Sequence, residues 1–286
     1  MLGLTWAECR PKHPPGDHPR LASFGPVRSR GDRPPLPGGA GAGGDGGRRV
    51  SGWVALACWG WLVGEALGAL VVTWSASRLL PEGTASGVAA AEALLGTPVA
   101  VMASSSLAAL AIWRIPVWAV QIGVVTLATT GRGRSWRRDL GLIVRPVDLL
   151  IGVGAGLCAQ VLISVVYAGL GIEAEGPARQ LVAKGDGPLG LVALVVLLAV
   201  VAPVVEELLF RGVLQNGLAG RMPAAAALVV ASALFALVHF QAVQFPGLFV
   251  AGLVFGGLLL RTGRLGPSLV AHMAFNLSTV LFLALG

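Results

Sequence analysis

The chain has 286 residues, 55% of them hydrophobic and 12% charged, with a formal net charge of +7 and a mean hydropathy of +0.77. A soluble domain carries about 25% charged residues, so an ordinary soluble globular protein is excluded and the membrane class is indicated. The positive charge gathers in tails and loops without aromatic-basic interleaving, which argues against nucleic acid as a partner.

Residues 1–50 are rich in Pro, Gly and Arg, as in Lys12-His13-Pro14-Pro15-Gly16 and Pro34-Pro35-Leu36-Pro37-Gly38-Gly39. They show no helical period and too little apolar surface to offset the entropy of ordering. A disordered basic tail is expected, able to touch anionic lipid headgroups; a start codon assigned too far upstream is the rival explanation. No apolar core followed by a small-residue cleavage pattern marks a signal peptide. Cys9, Cys58 and Cys158 fit neither a disulfide framework nor CxxC metal spacing.

About 20 apolar residues make a spanning helix. The predicted spans are 53–74, 104–130, 149–171, 189–217, 224–243, 247–261 and 267–285. The stretch 86–103, broken by Gly96, Thr97 and Pro98, makes an eighth if it spans. The expected fold is therefore an all-α polytopic transmembrane bundle. It divides into the tail (1–50), N-terminal helices with a basic loop (51–146), and a C-terminal domain (147–286) whose motif core is 189–286. Eight cationic residues in the tail fall on one predicted side with Arg132, Arg134, Arg137, Arg138, Arg145, Arg221, Arg261 and Arg264. The excess of Lys and Arg on cytoplasmic loops then puts the N-terminus inside a cell membrane.

Ionisable groups within a bilayer cost a few kcal/mol each and need a reason. Glu65, between Gly64 and Gly68, reads first as an interhelical hydrogen-bonding group. Arg114, beside Trp113 and Pro116, reads as a side chain snorkelling to the interface. In Glu206-Glu207-Leu208-Leu209-Phe210-Arg211, Glu207 and Arg211 share a helix face and can pair, while Glu206 points about 100° away. A carboxylate tuned by burial and a nearby Arg suits a base that activates water; a structural ion pair at a helix end is the plain alternative.

Phe235 and His239 are four apart on the next predicted helix. With the turn centred on Arg221-Met222-Pro223, Glu206 lies about 16 residues before it and His239 about 16 after, which brings both to one depth in an antiparallel hairpin. His272 and Asn276 are again four apart on the last helix. They offer uncharged donors suited to an oxyanion hole, or else act as interhelical polar glue. His239 also lies only about six residues before Phe245-Pro246, which favours a site nearer the outer face.

The three motifs, Glu206-Glu207-xxx-Arg211, Phe235-xxx-His239 and His272-xxx-Asn276, resemble those of the CPBP (Abi) intramembrane proteases, the family that includes type II CAAX prenyl endopeptidases. The stretch Arg137-Arg138-Asp139-Leu140-Gly141-Leu142 resembles bacterial members as well. The resemblance implies hydrolysis of a membrane-anchored or prenylated-like peptide, in the cytoplasmic half of the bilayer. It implies that Glu206 and His239 activate water, that His272 and Asn276 stabilise the oxyanion, and that Glu207, Arg211 and Phe235 support them. Glu206, His239 and His272 also form a possible His₂Glu zinc set, although no HExxH is present; no metal, or zinc, are the two cofactor expectations. No GxSxG supports serine chemistry, and Asp186 in its Gly185-Asp186-Gly187 loop lacks an aspartyl partner. A silent binding or immunity factor on the same fold, or a small proton-coupled transporter, are the alternatives, the latter without visible inverted repeats.

Overall fold

A computed structural model describes residues 60–61, 63–65, 107–130, 135–172, 179, 182–183, 185 and 187–285. The expected tail, the stretch 86–103 and most of the first predicted span lie outside the described residues, as do Cys9, Cys58, Arg132 and Arg134. The fold is all-helical, with no strand among the described residues. Residues 60–61 and 63–65 are helical. They are followed by α1 (Leu107–Thr130), a single turn α2 (Trp136–Asp139) and α3 (Pro146–Gly169). Then come α4 (Gly187–Ala219), α5 (Ala224–Leu237), α6 (Phe245–Thr262) and α7 (Leu265–Leu285). Among the described residues α3, α4, α6 and α7 are long and apolar enough to cross a membrane.

α4 is 33 residues long, about 50 Å at 1.5 Å per residue. It is continuous but not uniform: Val195–Val201 and Leu208–Gln215 are wound as π turns around a regular stretch, Ala202–Glu207. Pro203 accounts for the first. It has no N–H to donate, and the N–H of Ala202 bonds Leu197 five residues back, so the carbonyl of Leu198 has no donor at 202 or 203. Asn276 on α7 supplies one, its Nδ2 donating to Leu198 O at 2.8 Å.

The predicted fifth span, 224–243, is shorter than expected. α5 stops at Leu237 after 14 residues, about 21 Å, against a hydrocarbon core of about 30 Å. The helix ends because its histidine competes for its own backbone: His239 Nδ1 lies 2.7 Å from Phe235 O, while the His239 N–H goes to Ala236 O. Phe240 follows with φ 53, a left-handed conformation uncommon for a bulky residue and characteristic of strained functional turns. The α5–α6 turn is fastened to α3 by Tyr167, whose hydroxyl donates to Val243 O and accepts from Gly247 N–H, both at 2.9 Å.

α3 and α7 pack along much of their length because glycine allows it. A Cβ on Gly152 would meet Val270 and the Pro267 carbonyl, and one on Gly156 would strike the carbonyl of Ala271. Small residues at helix contacts are the usual route to close packing in lipid. The Arg137–Leu142 stretch has a scaffolding place. Leu140 is buried against Gly212, and the carbonyls of Gly141 and Ile143 accept from Leu265 and Gly266 N–H. Asp148 in the first turn of α3 accepts from Arg145 N–H at 2.8 Å and pairs with Arg264 in the α6–α7 turn.

Candidate active site

The regular stretch of α4 between its two π turns carries both carboxylates inward. Glu207 is fully buried (0% exposed) and so is Arg211 (1%), and they pair at 2.9 Å with the i,i+4 spacing expected from sequence. The guanidinium lies over the Phe235 ring at 4.3 Å and the Phe255 ring at 5.5 Å, where a delocalised cation gains from the ring faces. It also donates to Gly252 O at 3.4 Å. One turn on, Gln215 donates to Gly256 O at 3.0 Å. Arg211 and Gln215 thus read α6 at Gly252 and Gly256, where the missing side chains leave room.

Glu207 also receives two groups from α7. Ser268 Oγ donates to Oε2 and His272 Nδ1 donates to Oε1 at 2.9 Å. A carboxylate can only accept, so the Nδ1 proton of His272 is fixed and Nε2 is the free nitrogen. That nitrogen faces Glu206 Oε2 at 3.8 Å. The distance is too long for a direct hydrogen bond, and a bare Nε2 and a carboxylate oxygen are both acceptors. A proton or a water hydrogen between them is what the pair requires. Phe255 stacks on the His272 ring, with centroids 4.6 Å apart and planes at 20°, and fixes its orientation.

His239, expected within the fifth helix, lies instead in the turn after α5, half-buried. The carbonyl of Phe235 takes its Nδ1 proton, so its free nitrogen is again Nε2. Phe235 touches both imidazoles, at centroid distances of 4.9 Å to His239 and 5.6 Å to His272. The end of α5 thus lies beside His272, whose Nε2 faces Glu206. Asn276 stands one turn beyond His272 and spends one amide hydrogen on Leu198 O, which leaves the second hydrogen of the amide as a further donor.

Three contributors escaped sequence reasoning. Ser268 precedes His272 by four, so Ser268, His272 and Asn276 form a period-four ladder that the spacing itself could have revealed. Phe255 gave no signal among apolar neighbours. Arg114 is the third: its Nη1 pairs with Glu65 Oε1 at 3.0 Å, which corrects the reading of a snorkelling arginine. Its partner lies 49 positions away, beyond any local pattern.

Among the described residues no group of three or more His, Cys, Asp or Glu side chains is disposed to hold a metal ion. Glu206 and His272 face each other, but His239 does not complete a ligand set with them.

The molecule is thus an all-helical multi-pass membrane protein with a buried centre of paired carboxylates and imidazoles on its C-terminal helices. Residues 188–278 match the family model described as type II CAAX prenyl endopeptidase Rce1-like. The segment holds all three motifs, so the resemblance to the CPBP proteases is borne out over α4–α7. No curated protein and no solved structure gave a match.

Proposed function

We propose that this protein is an intramembrane endopeptidase that hydrolyses a peptide bond of a membrane-associated substrate with water activated by Glu206 and His239. The observation that carries the reading is the 3.8 Å gap between Glu206 Oε2 and His272 Nε2, two acceptors that need a water or a proton between them in a site closed to bulk solvent. Glu206 takes a proton from the water as its oxygen attacks the peptide carbonyl carbon, with the bare Nε2 of His239 accepting from the same water. The oxyanion is met by the second amide hydrogen of Asn276 and by His272 once the abstracted proton moves to its Nε2. Collapse breaks the C–N bond, and the proton passes to the leaving amine. Positioned acid–base groups of this kind contribute about 100- to 10,000-fold each.

Glu207 acts through His272 and Arg211 acts through Glu207, the arrangement by which a neighbouring carboxylate fixes an imidazole. The protein sits in a cell membrane with its N-terminus cytoplasmic, supported by the gathering of Arg and Lys on alternate loops. Substrate class is supported by the family match and the lipid setting: a membrane-anchored or prenylated-like peptide. The proposed hydrolysis uses no metal.

The test is cleavage of a set of prenylated and membrane-anchored peptides by the detergent-purified full chain. Glu206→Gln, His239→Ala and Asn276→Ala are compared with wild type, each with and without a chelator and with metal content measured. Folded variants that lose turnover are expected, with chelation ineffective. Cleavage that persists in Glu206→Gln sinks the reading in favour of a binding factor. Loss on chelation, restored by zinc, replaces the metal-free chemistry.

A further inference from the structure

Beyond Asp148 in its first turn, α3 has three side chains that carry oxygen or nitrogen: Gln160, Ser164 and Tyr167. Spacings of four and three put them on one face of the helix, and all three lie outside the matched segment. Contacts fix both ends of this stripe. At one end Gln160 Oε1 accepts from Thr279 Oγ1 of α7 at 3.2 Å. Thr279 follows His272 by seven residues, two turns along the same face of α7 that brings His272 to Glu207. At the other end Tyr167 donates to Val243 O and accepts from Gly247 N–H, both at 2.9 Å, and so holds the turn in which His239 stands. The stripe therefore runs between the two elements that bear the histidines. It also opens outward: Ser164 is exposed and Gln160 half-buried, beside Val161 and Val165, whose exposed apolar side chains suit lipid.

Polar side chains on the lipid side of a spanning helix call for partners. Gln160 donates one amide hydrogen to Ser164 Oγ at 3.3 Å and accepts once from Thr279. A carboxamide has two N–H donors and an oxygen with two lone pairs. One donor and one acceptor therefore remain, the same pair that a peptide group offers. A membrane-anchored substrate brings the complementary need. Attack on a peptide carbonyl requires a stretch of chain drawn out of its helix, and each N–H and C=O so released is penalised in hydrocarbon unless it is bonded. We propose that Gln160, held by Ser164 and Thr279, is a substrate-binding residue that hydrogen-bonds the unwound backbone of the substrate beside the scissile bond. This rests on the endopeptidase reading and deepens it. The substrate class becomes one with a helix-breaking segment in its membrane-embedded part, recognised by residues outside the matched segment.

The test uses the full chain with Gln160→Met, which keeps the length of the side chain without its donor and acceptor, and with Thr279→Val, which releases Gln160 from α7. In steady-state cleavage of the anchored peptides, Gln160→Met should raise KM by roughly two- to tenfold, the worth of one hydrogen bond. The kcat should stay near wild type, because the bond is equally strong in the ground and transition states. Thr279→Val should move KM in the same direction by less. Binding is read separately in the Glu206→Gln background with two labelled probes: a transmembrane leucine peptide broken by a central Gly-Pro-Gly, and an unbroken leucine helix. The broken probe should bind more tightly, and Gln160→Met should weaken it by the same factor while leaving the unbroken probe alone. Self-association in detergent is followed in parallel. A fall in kcat with KM unmoved, or equal behaviour of the two probes in Gln160→Met, would overturn the proposal. So would a wild-type dimer that Gln160→Met dissociates, since the stripe would then be a contact between copies. A wild-type chain that cleaves no peptide sinks the endopeptidase reading instead, and the binding comparison, which needs no turnover, still decides whether Gln160 holds an unwound chain.

Discussion

Two histidines touch the ring of Phe235 and are held in opposite ways. His272 sits within α7, buried, clamped by Glu207 on one nitrogen and stacked on Phe255. His239 sits on a half-buried turn, held by one bond to a backbone carbonyl and by the edge of Phe235. In both, a fixed Nδ1 proton leaves Nε2 free. Buried charge networks are costly to break, whereas turn residues are cheap to replace and so can be spent on chemistry. The α4–α7 interior should therefore answer mutation with loss of fold, and the α5–α6 turn with loss of activity alone.

The strongest test of that contrast is Arg211→Leu. It leaves Glu207 as a buried anion with only Ser268 and His272 for partners, and removes the cation lying over Phe235 and Phe255. Breaking a buried pair from one side costs about 3–5 kcal/mol, a large part of a typical folding free energy of about 5–15 kcal/mol. Poor yield and a large drop in the thermal transition in detergent are expected. A variant as stable as wild type would mean that Glu207 is not ionised in the folded protein.

Ser268→Ala is gentler. It deletes one donor to a carboxylate that keeps its arginine and its histidine, so about 1.5–3 kcal/mol is at stake. The proton on His272 Nδ1 remains fixed, and reduced but measurable turnover should accompany the lower transition. If Ser268→Ala abolished turnover at wild-type stability, Glu207 would need all of its donors for chemistry rather than for folding.

How much of this was legible depends on whether a contact is made along a helix or between helices. Spacing of four fixes a shared face, so Glu207–Arg211 and His272–Asn276 could be read from position alone. The nearly equal distances of Glu206 and His239 from the turn at Arg221-Met222-Pro223 carried an expectation of common depth as well, because helical rise is constant. The stop of α5 at Leu237 was not legible. The run Leu234 to Val238 is uniformly apolar, and the helix ends because an imidazole takes the Phe235 carbonyl, a competition between side chain and backbone that hydropathy does not see. Asn276 shows the same limit. It was assigned to the oxyanion, yet one of its hydrogens satisfies a carbonyl that Pro203 orphans on another helix. Pro203 inside an apolar span was the available clue.

The smallest expected effect on stability, and the most informative, is that of His239→Ala. The side chain is half-buried and its one polar bond is to a neutral carbonyl at the end of α5. Replacement should cost about 1 kcal/mol or less, since the bond lost is a single neutral one and Tyr167 still ties the turn to α3. If the bare Nε2 accepts from the attacking water, turnover should nonetheless fall about 100- to 10,000-fold. His272→Ala in the same assay should lose both, because it withdraws a donor from Glu207 in the core. Measured side by side, the two alanine variants separate a histidine spent on chemistry from one shared between chemistry and folding. Equal losses of stability would erase the distinction between turn and helix, and full activity in His239→Ala would leave Glu206 and His272 as the working pair.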